Sequence, residues 1–302
     1  MRHLPSAIPL PQTVDRAILY AVAYADVFDY PLTATEIHRY LVGLPASLAV
    51  IQSALRNGRV AHREDYFTLP GREAIVETRL RRAEVSARMW PQAVRYGRAV
   101  ARLPFVRMVA VTGALAMDNA EPDTDVDYLI VTEPGRLWLC RAMVIAMVVK
   151  PAARRGEELC PNYLLSERTL AIPEHNLFTA HELAQMVPIA GMAVYQRMRQ
   201  ANDWTTRFLP NAGVHEPPQR VDGAPSSRQP GQTLAEVALR TPAGAWLERW
   251  EMNRKVRRFS QQADEQAEVT FCADWCKGHF DHHGRSILEA FARRLEEVER
   301  EM

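Results

Sequence analysis

The sequence has little of several features that mark specialised proteins. Four cysteines in 302 residues, with no signal-peptide pattern, exclude a disulfide-stapled secreted domain and predict a reducing, cytoplasmic location. The longest apolar run, residues 142–149, is too short to span a bilayer, so no membrane partner is expected. A formal net charge of +1 provides no overall field that attracts nucleic acid or lipid. What remains is a chain long enough for two or three domains, with 47% hydrophobic residues to build its cores.

Two aspartates in an apolar run are the most informative feature that is present. Asp125 and Asp127 begin a run that continues through Val131. Because residues i and i+2 of a strand point to the same face, both carboxylates should project together. Two like charges side by side repel, and a cation that prefers oxygen ligands, such as Mg²⁺ or Mn²⁺, relieves that repulsion. Gly113, upstream of the pair, fits a turn in which backbone N–H groups approach a phosphate.

Gly113, Asp125 and Asp127 together resemble the signature of the nucleotidyltransferase superfamily, the polymerase β-like group. That signature is an apolar residue, Gly, then Gly or Ser, a spacer of about ten residues and Asp-apolar-Asp-apolar. Ala114 departs from it, because the family's Ser donates its hydroxyl to nucleotide phosphate and alanine has none. Over residues 104–170 the sequence is similar to an uncharacterised bacterial and archaeal branch of the superfamily. The resemblance implies an α/β (α+β) fold with a small mixed sheet flanked by helices.

The resemblance also implies a reaction: transfer of a nucleoside monophosphate from a nucleoside triphosphate to an acceptor hydroxyl. Asp125 and Asp127 are the expected metal ligands. The backbone N–H groups of Thr112, Gly113 and Ala114 are the expected contacts of the β- and γ-phosphates. The sequence does not choose among the four nucleotides, nor among a small molecule, a protein and an RNA end as acceptor.

A third site residue and a further nucleotide contact follow from the predicted strands. Strands are predicted at 105–112, 125–132 and 158–166, with Pro161 marking an edge or a bulge in the third. The third strand of the family often carries a third carboxylate, and the position in phase here is Asn162, with Glu158 and Glu167 as the nearest acids. A helix predicted over 136–149, with Pro134 at its first turn, offers Arg136 to the nucleotide.

The first 70 residues have the pattern of a winged helix. A helix is predicted over 13–28, a second begins at the capping sequence Thr33 to Glu36, and a third is capped by Ser47. A hairpin follows over 59–69, after an Asn-Gly turn. Three helices and a hairpin are typical of winged helices, which contact nucleic acid or other proteins.

Arginines are concentrated around this module. Residues 54–107 contain 12 arginines against 5 acids, an excess of 12 − 5 = +7 that fits a phosphate-facing stripe. The alternative, which we favour, is that they form the solvated face of one helix over 71–101. The arginines that decide between these interpretations are Arg79, Arg81, Arg82 and Arg88.

The last third is predicted to be helical and interrupted. Helices are predicted at 181–188, 189–201, 233–262 with a break at 242–244, and 285–302, with a linker at 211–231. Cys272, Cys276 and His279 have side chains that bind zinc, but their spacing fits no common finger, so a polar turn is the favoured interpretation. The predicted regions are 1–70 (winged-helix-like), 71–103 (connecting helix), 104–210 (nucleotidyltransferase core), 211–231 (linker) and 232–302 (C-terminal helices).

Three functions are compatible with these patterns. The first is a metal-dependent nucleotidyltransferase, which Asp125 and Asp127 favour. The second is a non-catalytic winged-helix protein that uses a degenerate transferase fold as a nucleotide sensor or scaffold, for which Ala114 and Asn162 leave room. The third is the nucleotidyltransferase half of a toxin–antitoxin pair, although such chains are usually much shorter.

Overall fold

The computed structural model describes residues 9–56, 59–213, 230–262, 271–277 and 283–301. In this part of the chain the fold is mixed α/β, as predicted, and it contains two sheets. The predicted Asn-Gly turn at 57–58, most of the predicted linker, and His279 lie outside the described residues.

The N-terminal region forms three helices and a small antiparallel sheet. The helices are α1 (Val14–Asp26), α2 (Ala34–Arg39) and α3 (Leu48–Arg56), and the strands are β1 (Leu32–Thr33), β2 (Ala61–Arg63) and β3 (Tyr66–Thr68). The strand order is β1-β3-β2. The predicted capping sequence is confirmed: the Thr33 hydroxyl accepts from the backbone N–H of Glu36, and the Glu36 carboxylate accepts from the backbone N–H of Thr33.

A five-stranded mixed sheet forms the centre of the protein. It follows the long helix α4 (Ile75–Ala101), and its strands are β4 (Val106–Val111), β5 (Val126–Thr132), β6 (Leu159–Ser166), β7 (Val187–Ala190) and β8 (Trp275–Lys277). Their order is β7-β4-β5-β6-β8, with β5 and β6 parallel and the other neighbours antiparallel.

Helices cover both faces of this sheet. The helices that follow α4 in the chain are α5 (Gly113–Ala116), α6 (Leu137–Val144), α7 (Lys150–Ala153), α8 (Leu177–Gln185), α9 (Met192–Ala201), α10 (Pro230–Leu239), α11 (Pro242–Gln262) and α12 (His283–Glu301). Alternate residues of the strands pack into two separate clusters. Val109, Val111, Tyr128 and Ile130 pack with α4 and α6, which we call the α4 face. Met108, Ala110, Leu129 and Val131 pack with α9, which we call the α9 face.

The C-terminal segments contribute to more than one cluster. Strand β8 pairs with β6 at the edge of the central sheet. Helix α12 packs instead against the N-terminal region, where Phe291 and Leu295 are buried as its amphipathic pattern predicts. The break predicted at 242–244 lies two residues earlier in the structure, because α10 ends at Leu239 and α11 begins at Pro242, so that 242–244 are helical.

Two predicted helices have different bounds in the structure. The helices predicted at 181–188 and 189–201 are α8 and α9 with strand β7 between them, so the prediction is wrong for 187–190. A four-residue apolar run fits helix and strand equally well, and pairing of β7 with Val109–Val111 decides the outcome. The helix predicted over 136–149 starts at Leu137, turns π-helical over Ile145–Val149 and continues as α7 past Pro151. The wider π turn accommodates the ring of Pro151, which lacks an N–H and would clash with an ordinary helical turn.

The arginines of α4 are not one solvated face. Arg79 is buried, and its guanidinium binds the Glu36 carboxylate at 2.9 Å and the Met117 carbonyl at 3.1 Å. Arg82 binds the carboxylate of Glu121 at 2.7 Å. The favoured interpretation is therefore wrong for these two, although Arg81 and Arg88 are exposed. Since internal acceptors hold Arg79 and Arg82, they cannot serve as a phosphate stripe.

Gly191 joins β7 to α9 at a point where a side chain does not fit. Its φ is +79°, and a Cβ would lie 2.1 Å from the carbonyl oxygen of Arg107. We expect Gly191→Ala to lower the free energy of unfolding by about 2–4 kcal/mol, from left-handed strain plus a forced backbone shift. Gly156→Ala is the matched control, because Gly156 has φ +77° and nothing within 4 Å. Its expected cost is about 1 kcal/mol. Equal shifts of the urea midpoints would contradict the steric argument.

Candidate metal centre

Asp125 and Asp127 lie together at the start of β5. Asp127 is the second residue of the strand and Asp125 directly precedes it, so the strand begins one residue later than predicted. Both residues are half-buried. Alternation along the strand places Asp127 in phase with Leu129 and Val131, on the α9 face of the sheet.

The Gly113 turn is in direct contact with Asp127. The backbone N–H of Thr112 donates to the Asp127 carbonyl at 3.0 Å. Gly113 has φ +67°, and a Cβ on it would lie 2.5 Å from Oδ2 of Asp127. Only glycine satisfies both conditions, because the left-handed backbone and the close carboxylate each disfavour a side chain. The turn and the aspartate, 14 residues apart in sequence (127 − 113), are thus parts of one site.

A cysteine completes the cluster. The register of the parallel strands places Cys160 of β6 opposite Asp127. The ligand atoms of Asp125, Asp127 and Cys160 all lie within 4.8 Å of one another. Among the described residues no other group of three His, Cys, Asp or Glu side chains meets this distance. Burial, followed by the charges of Asp127 and Asp125, raises the pKa of Cys160 to about 12, so a neutral thiol faces the carboxylates.

Asn162 lies in β6, next to a shift in the pairing of that strand with β5. The pairing of β5 with β6 shifts between Asp127 and Leu129, which is the bulge that Pro161 predicts. Beyond the shift Leu164 packs on the α4 face, and Asn162, buried and two residues before it, shares its phase. The prediction that Asn162 lines the site stays a prediction. Cys160 was not expected from the sequence, and only the strand register identifies it.

A third carboxylate acts on Asp127 from α8. Burial, then the charges of Asp125 and Glu182, raise the pKa of Asp127 to about 7, against a lowering hydrogen bond from Cys160. Burial also raises the pKa of Glu182 to about 7, with the Lys277 ammonium opposing the shift. Glu182 was not expected from the sequence, because its spacing from Asp127 along the chain gives no indication that α8 lies beside β5.

The two acids named from sequence have other roles. Glu167 forms an ion pair with Arg197. The backbone carbonyl of Glu158 accepts from Val126 and so helps to align β6 with β5.

Of the predicted phosphate contacts, one lies away from the pair. Thr112, Gly113 and Ala114 form the turn beside Asp127. Arg136 follows the opposite end of β5, a strand of seven residues and therefore about 20 Å long. Its guanidinium lies 5.0 Å from the centroid of the Phe105 ring. The structure therefore does not bring Arg136 to the aspartates.

Side-chain hydrogen bonds at Asp118 and Asn119 hold the loop between Gly113 and the aspartates. The indole N–H of Trp90 donates to Asp118 at 3.0 Å. The Asn119 amide donates to the Phe28 carbonyl at 3.1 Å. These bonds tie the loop to α4 and to the N-terminal region.

The cysteines of the C-terminal region lie elsewhere. Cys276 is buried in β8 opposite Leu164, and Cys272 is exposed. Within the described residues they join no metal-binding group, and His279, the third side chain of the zinc alternative, is not among those residues.

The donor set fits a divalent cation. Two carboxylates supply the hard oxygen ligands that Mg²⁺ and Mn²⁺ prefer, and a cation between them would oppose the burial and the repulsion from Asp125 that together raise the pKa of Asp127. The Cys160 thiol adds a soft donor at the edge of this set. The arrangement can therefore hold a metal ion next to a glycine turn.

Comparisons with known proteins add no constraint. No family model, no curated protein and no solved structure matches this chain. In the described part of the chain, no helix combines the length and the apolar character needed to cross a membrane.

Proposed function

We propose that the protein is a metal-dependent nucleotidyltransferase, which transfers a nucleoside monophosphate from a nucleoside triphosphate to an acceptor hydroxyl. The observation that carries the proposal is the contact of the Gly113 turn with Asp127, next to Asp125 and Cys160. A phosphate chain needs a backbone that it can approach, and its metal needs paired carboxylates. In this protein the glycine turn and the paired carboxylates lie next to each other.

Each residue has a role in this proposal. Asp125 and Asp127 hold Mg²⁺ or Mn²⁺, which when bound neutralises charge on the phosphates. The N–H groups of the turn at Thr112 to Ala114 orient the β- and γ-phosphates. The missing hydroxyl at Ala114 leaves the backbone as the main phosphate contact of this turn. Glu182, with its pKa raised to about 7, is suited to accept the proton of the attacking hydroxyl near neutral pH.

The alternative function is a non-catalytic winged-helix protein that binds nucleic acid or protein. It is favoured by the order α1-β1-α2-α3-β2-β3 and the three-stranded sheet of the N-terminal region, which are typical of winged helices. Against nucleic-acid contact, Arg79 and Arg82 are bound to internal acceptors. The winged-helix assignment, the nucleotidyltransferase core and a cytoplasmic location all belong to the proposal.

The test is stabilisation and turnover with each of the four nucleoside triphosphates, with and without Mg²⁺ or Mn²⁺. A nucleotide at about 100 times its dissociation constant stabilises the protein by about 2.7 kcal/mol, a shift that melting curves detect. We expect one nucleotide to give metal-dependent stabilisation and release of pyrophosphate. Asp127→Asn should lower turnover by at least about 100-fold, since the metal contributes several kcal/mol to the transition state.

Asp123→Asn is the matched control, because Asp123 is an exposed carboxylate in the same loop. It should retain both the stabilisation and the turnover. Metal-dependent nucleotide binding without turnover for any acceptor would favour the sensor alternative. If no nucleotide stabilises the wild type, the nucleotidyltransferase proposal is wrong.

A further inference from the structure

The outward surface of α11 combines exposed tryptophans with arginines. Residues at helical spacing, namely Trp246, Arg249, Trp250, Asn253, Arg254, Arg257 and Arg258, are all exposed, and we call them the α11 face. Trp246 and Arg257 are 11 positions apart (257 − 246), or about 16 Å along the helix. The opposite side of the helix, with Met252 and Val256, packs against the α4 face cluster. The helix is therefore anchored on one side and presents the other to solvent.

The two tryptophans present their rings instead of burying them. Trp246 is 57% exposed and Trp250 50% exposed. Their ring planes differ by only 18° and their centroids are 6.3 Å apart. Large aromatic side chains normally contribute to a core, and burying each is worth a few kcal/mol. Two near-parallel exposed rings are thus a stacking platform with no partner among the described residues beyond each other and Arg254.

The charge of this face is of one sign. The two acids of α11, Glu248 and Glu251, are buried. Glu248 accepts from the backbone N–H groups of Trp138 and Leu139 at the start of α6. Glu251 forms an ion pair with Arg254, whose guanidinium also lies 5.2 Å from the centroid of the Trp250 ring.

The remaining arginines of the face have no such acid. Arg249, Arg257 and Arg258 form no ion pair with any other described residue. The exposed part of α11 therefore carries four arginines and no carboxylate, in a chain whose formal net charge is only +1.

We propose that the α11 face binds single-stranded RNA. Unpaired bases stack on exposed aromatic rings, while arginines beside the rings bind the phosphates that link the bases. A convex helix surface offers no groove for a duplex, and unpaired bases are presented mainly by RNA loops and ends. An anionic membrane fits less well, because insertion needs a continuous apolar face and here arginines lie among the rings. This proposal does not depend on the proposed function.

The test is binding of a fluorescently labelled oligoadenylate RNA to the full-length protein, followed by anisotropy at several salt concentrations. Trp246→Ala and Trp250→Ala are each expected to weaken binding by about 5- to 150-fold, the range found for loss of one stacked base. Trp250→Phe keeps a ring and should retain most of the affinity. Arg249→Gln with Arg257→Gln should lower the slope of log affinity against log salt by about 1.4, from about 0.7 per phosphate contact.

Two control variants change exposed residues outside the face. Arg88→Gln removes an exposed arginine of α4, and Leu234→Ala removes a 74% exposed side chain of α10. Both should bind RNA like the wild type, and so should Asp127→Asn, which keeps this test separate from that of the nucleotidyltransferase. Melting curves of every variant identify loss of binding through unfolding.

Other ligands provide the outcomes that overturn the proposal. It is wrong if the RNA does not bind, or if the tryptophan variants bind like the controls. It is also wrong if oligodeoxyadenylate or duplex RNA binds more tightly than the single-stranded RNA. Binding to vesicles of phosphatidylcholine and phosphatidylserine without binding to RNA would assign the face to a membrane surface.

Discussion

Replacement of Arg107 by methionine is expected to lower the free energy of unfolding by about 3 kcal/mol. The Arg107 side chain is only 6% exposed, and it binds Glu236, whose side chain is 1% exposed, at 2.7 Å, as well as Glu133. Burial alone would lower the pKa of Arg107, but hydrogen bonds with Glu236 and Glu133 outweigh it and raise the pKa. Methionine keeps the apolar stem and leaves Glu236 buried with less compensation, which typically costs 3–5 kcal/mol. We expect the lower end of this range of free energies because Arg240 still lies 3.3 Å from Glu236.

Urea unfolding of Arg107→Met and Arg197→Met measures this difference. Arg197 forms an ion pair with Glu167, but its side chain is 55% exposed, so its loss should cost at most about 1 kcal/mol. Adding Glu236→Gln to Arg107→Met should recover part of the loss, because it removes the uncompensated buried charge. Equal destabilisation by the two single changes would show that burial of the Glu236 carboxylate is not the cause. The result also bears on α10, which this ion pair fastens to the central sheet.

The N-terminal region supports the candidate site as well as its own core. The hydroxyl of Tyr30 donates to the Met117 carbonyl at 2.7 Å, and Arg79 binds the same oxygen. Met117 follows α5 in the loop that leads from Gly113 to the aspartates. The N-terminal region thus fixes one end of the loop that shapes the site. Loss of either bond should loosen the site before it unfolds the sheet.

Predictions from the sequence were reliable where the structure of a helix or strand depends only on its own residues. The capping sequence at Thr33, the apolar stripe of α12 and the strand that carries Asp127 depend on residues a few positions apart. The bulge at Pro161 follows from the missing N–H of a single residue. These features are confirmed because each depends on residues that are close together in the sequence and belong to one helix or strand.

Predictions from the sequence failed where contacts with a distant part of the chain determine the structure. Strand β7 exists because it pairs with β4, and its four apolar residues carry no period that separates strand from helix. Cys160 and Glu182 reach Asp127 from β6 and α8, which only the fold brings together. Arg79 has the sequence context of a solvated helix residue, yet Glu36 and the Met117 carbonyl bury it. Cys160 and Glu182 were therefore beyond any prediction from spacing.

Without a bound metal, the candidate site is expected to make the protein less stable as the pH rises from about 4 to 7. The pKa of Asp127 rises from its ordinary value of 3.8 to about 7 on folding. Between these values the folded state binds more protons than the unfolded state, so the free energy of unfolding falls with rising pH. The loss is complete above about pH 7, where both states are ionised, and absent below about pH 4, where both are protonated.

Asp127→Asn isolates this effect from that of other carboxyls. Glu121 and Glu157, whose pKa values are lowered by Arg82 and Tyr96 respectively, contribute in the opposite direction. These contributions are the same in the variant and the wild type, so they cancel in the difference between the two free energies of unfolding. Each unit of pKa shift corresponds to about 1.4 kcal/mol, and partial exposure of Asp127 reduces the sum, so we expect the variant to be about 1–3 kcal/mol more stable at pH 8 and nearly equal at pH 4.

Melting curves of the wild type, Asp127→Asn and the exposed control Asp123→Asn at pH 4 to 8 test this expectation. Asp123→Asn should parallel the wild type at every pH. Addition of Mg²⁺ at pH 8 should stabilise the wild type and not Asp127→Asn, because a cation between the carboxylates removes the same repulsion that the amide removes. A variant that is less stable than the wild type at pH 8 without metal would mean that the Asp127 carboxylate stabilises the fold. A metal would then have no repulsion to relieve, and the physical reason for a cation at this position would be lost.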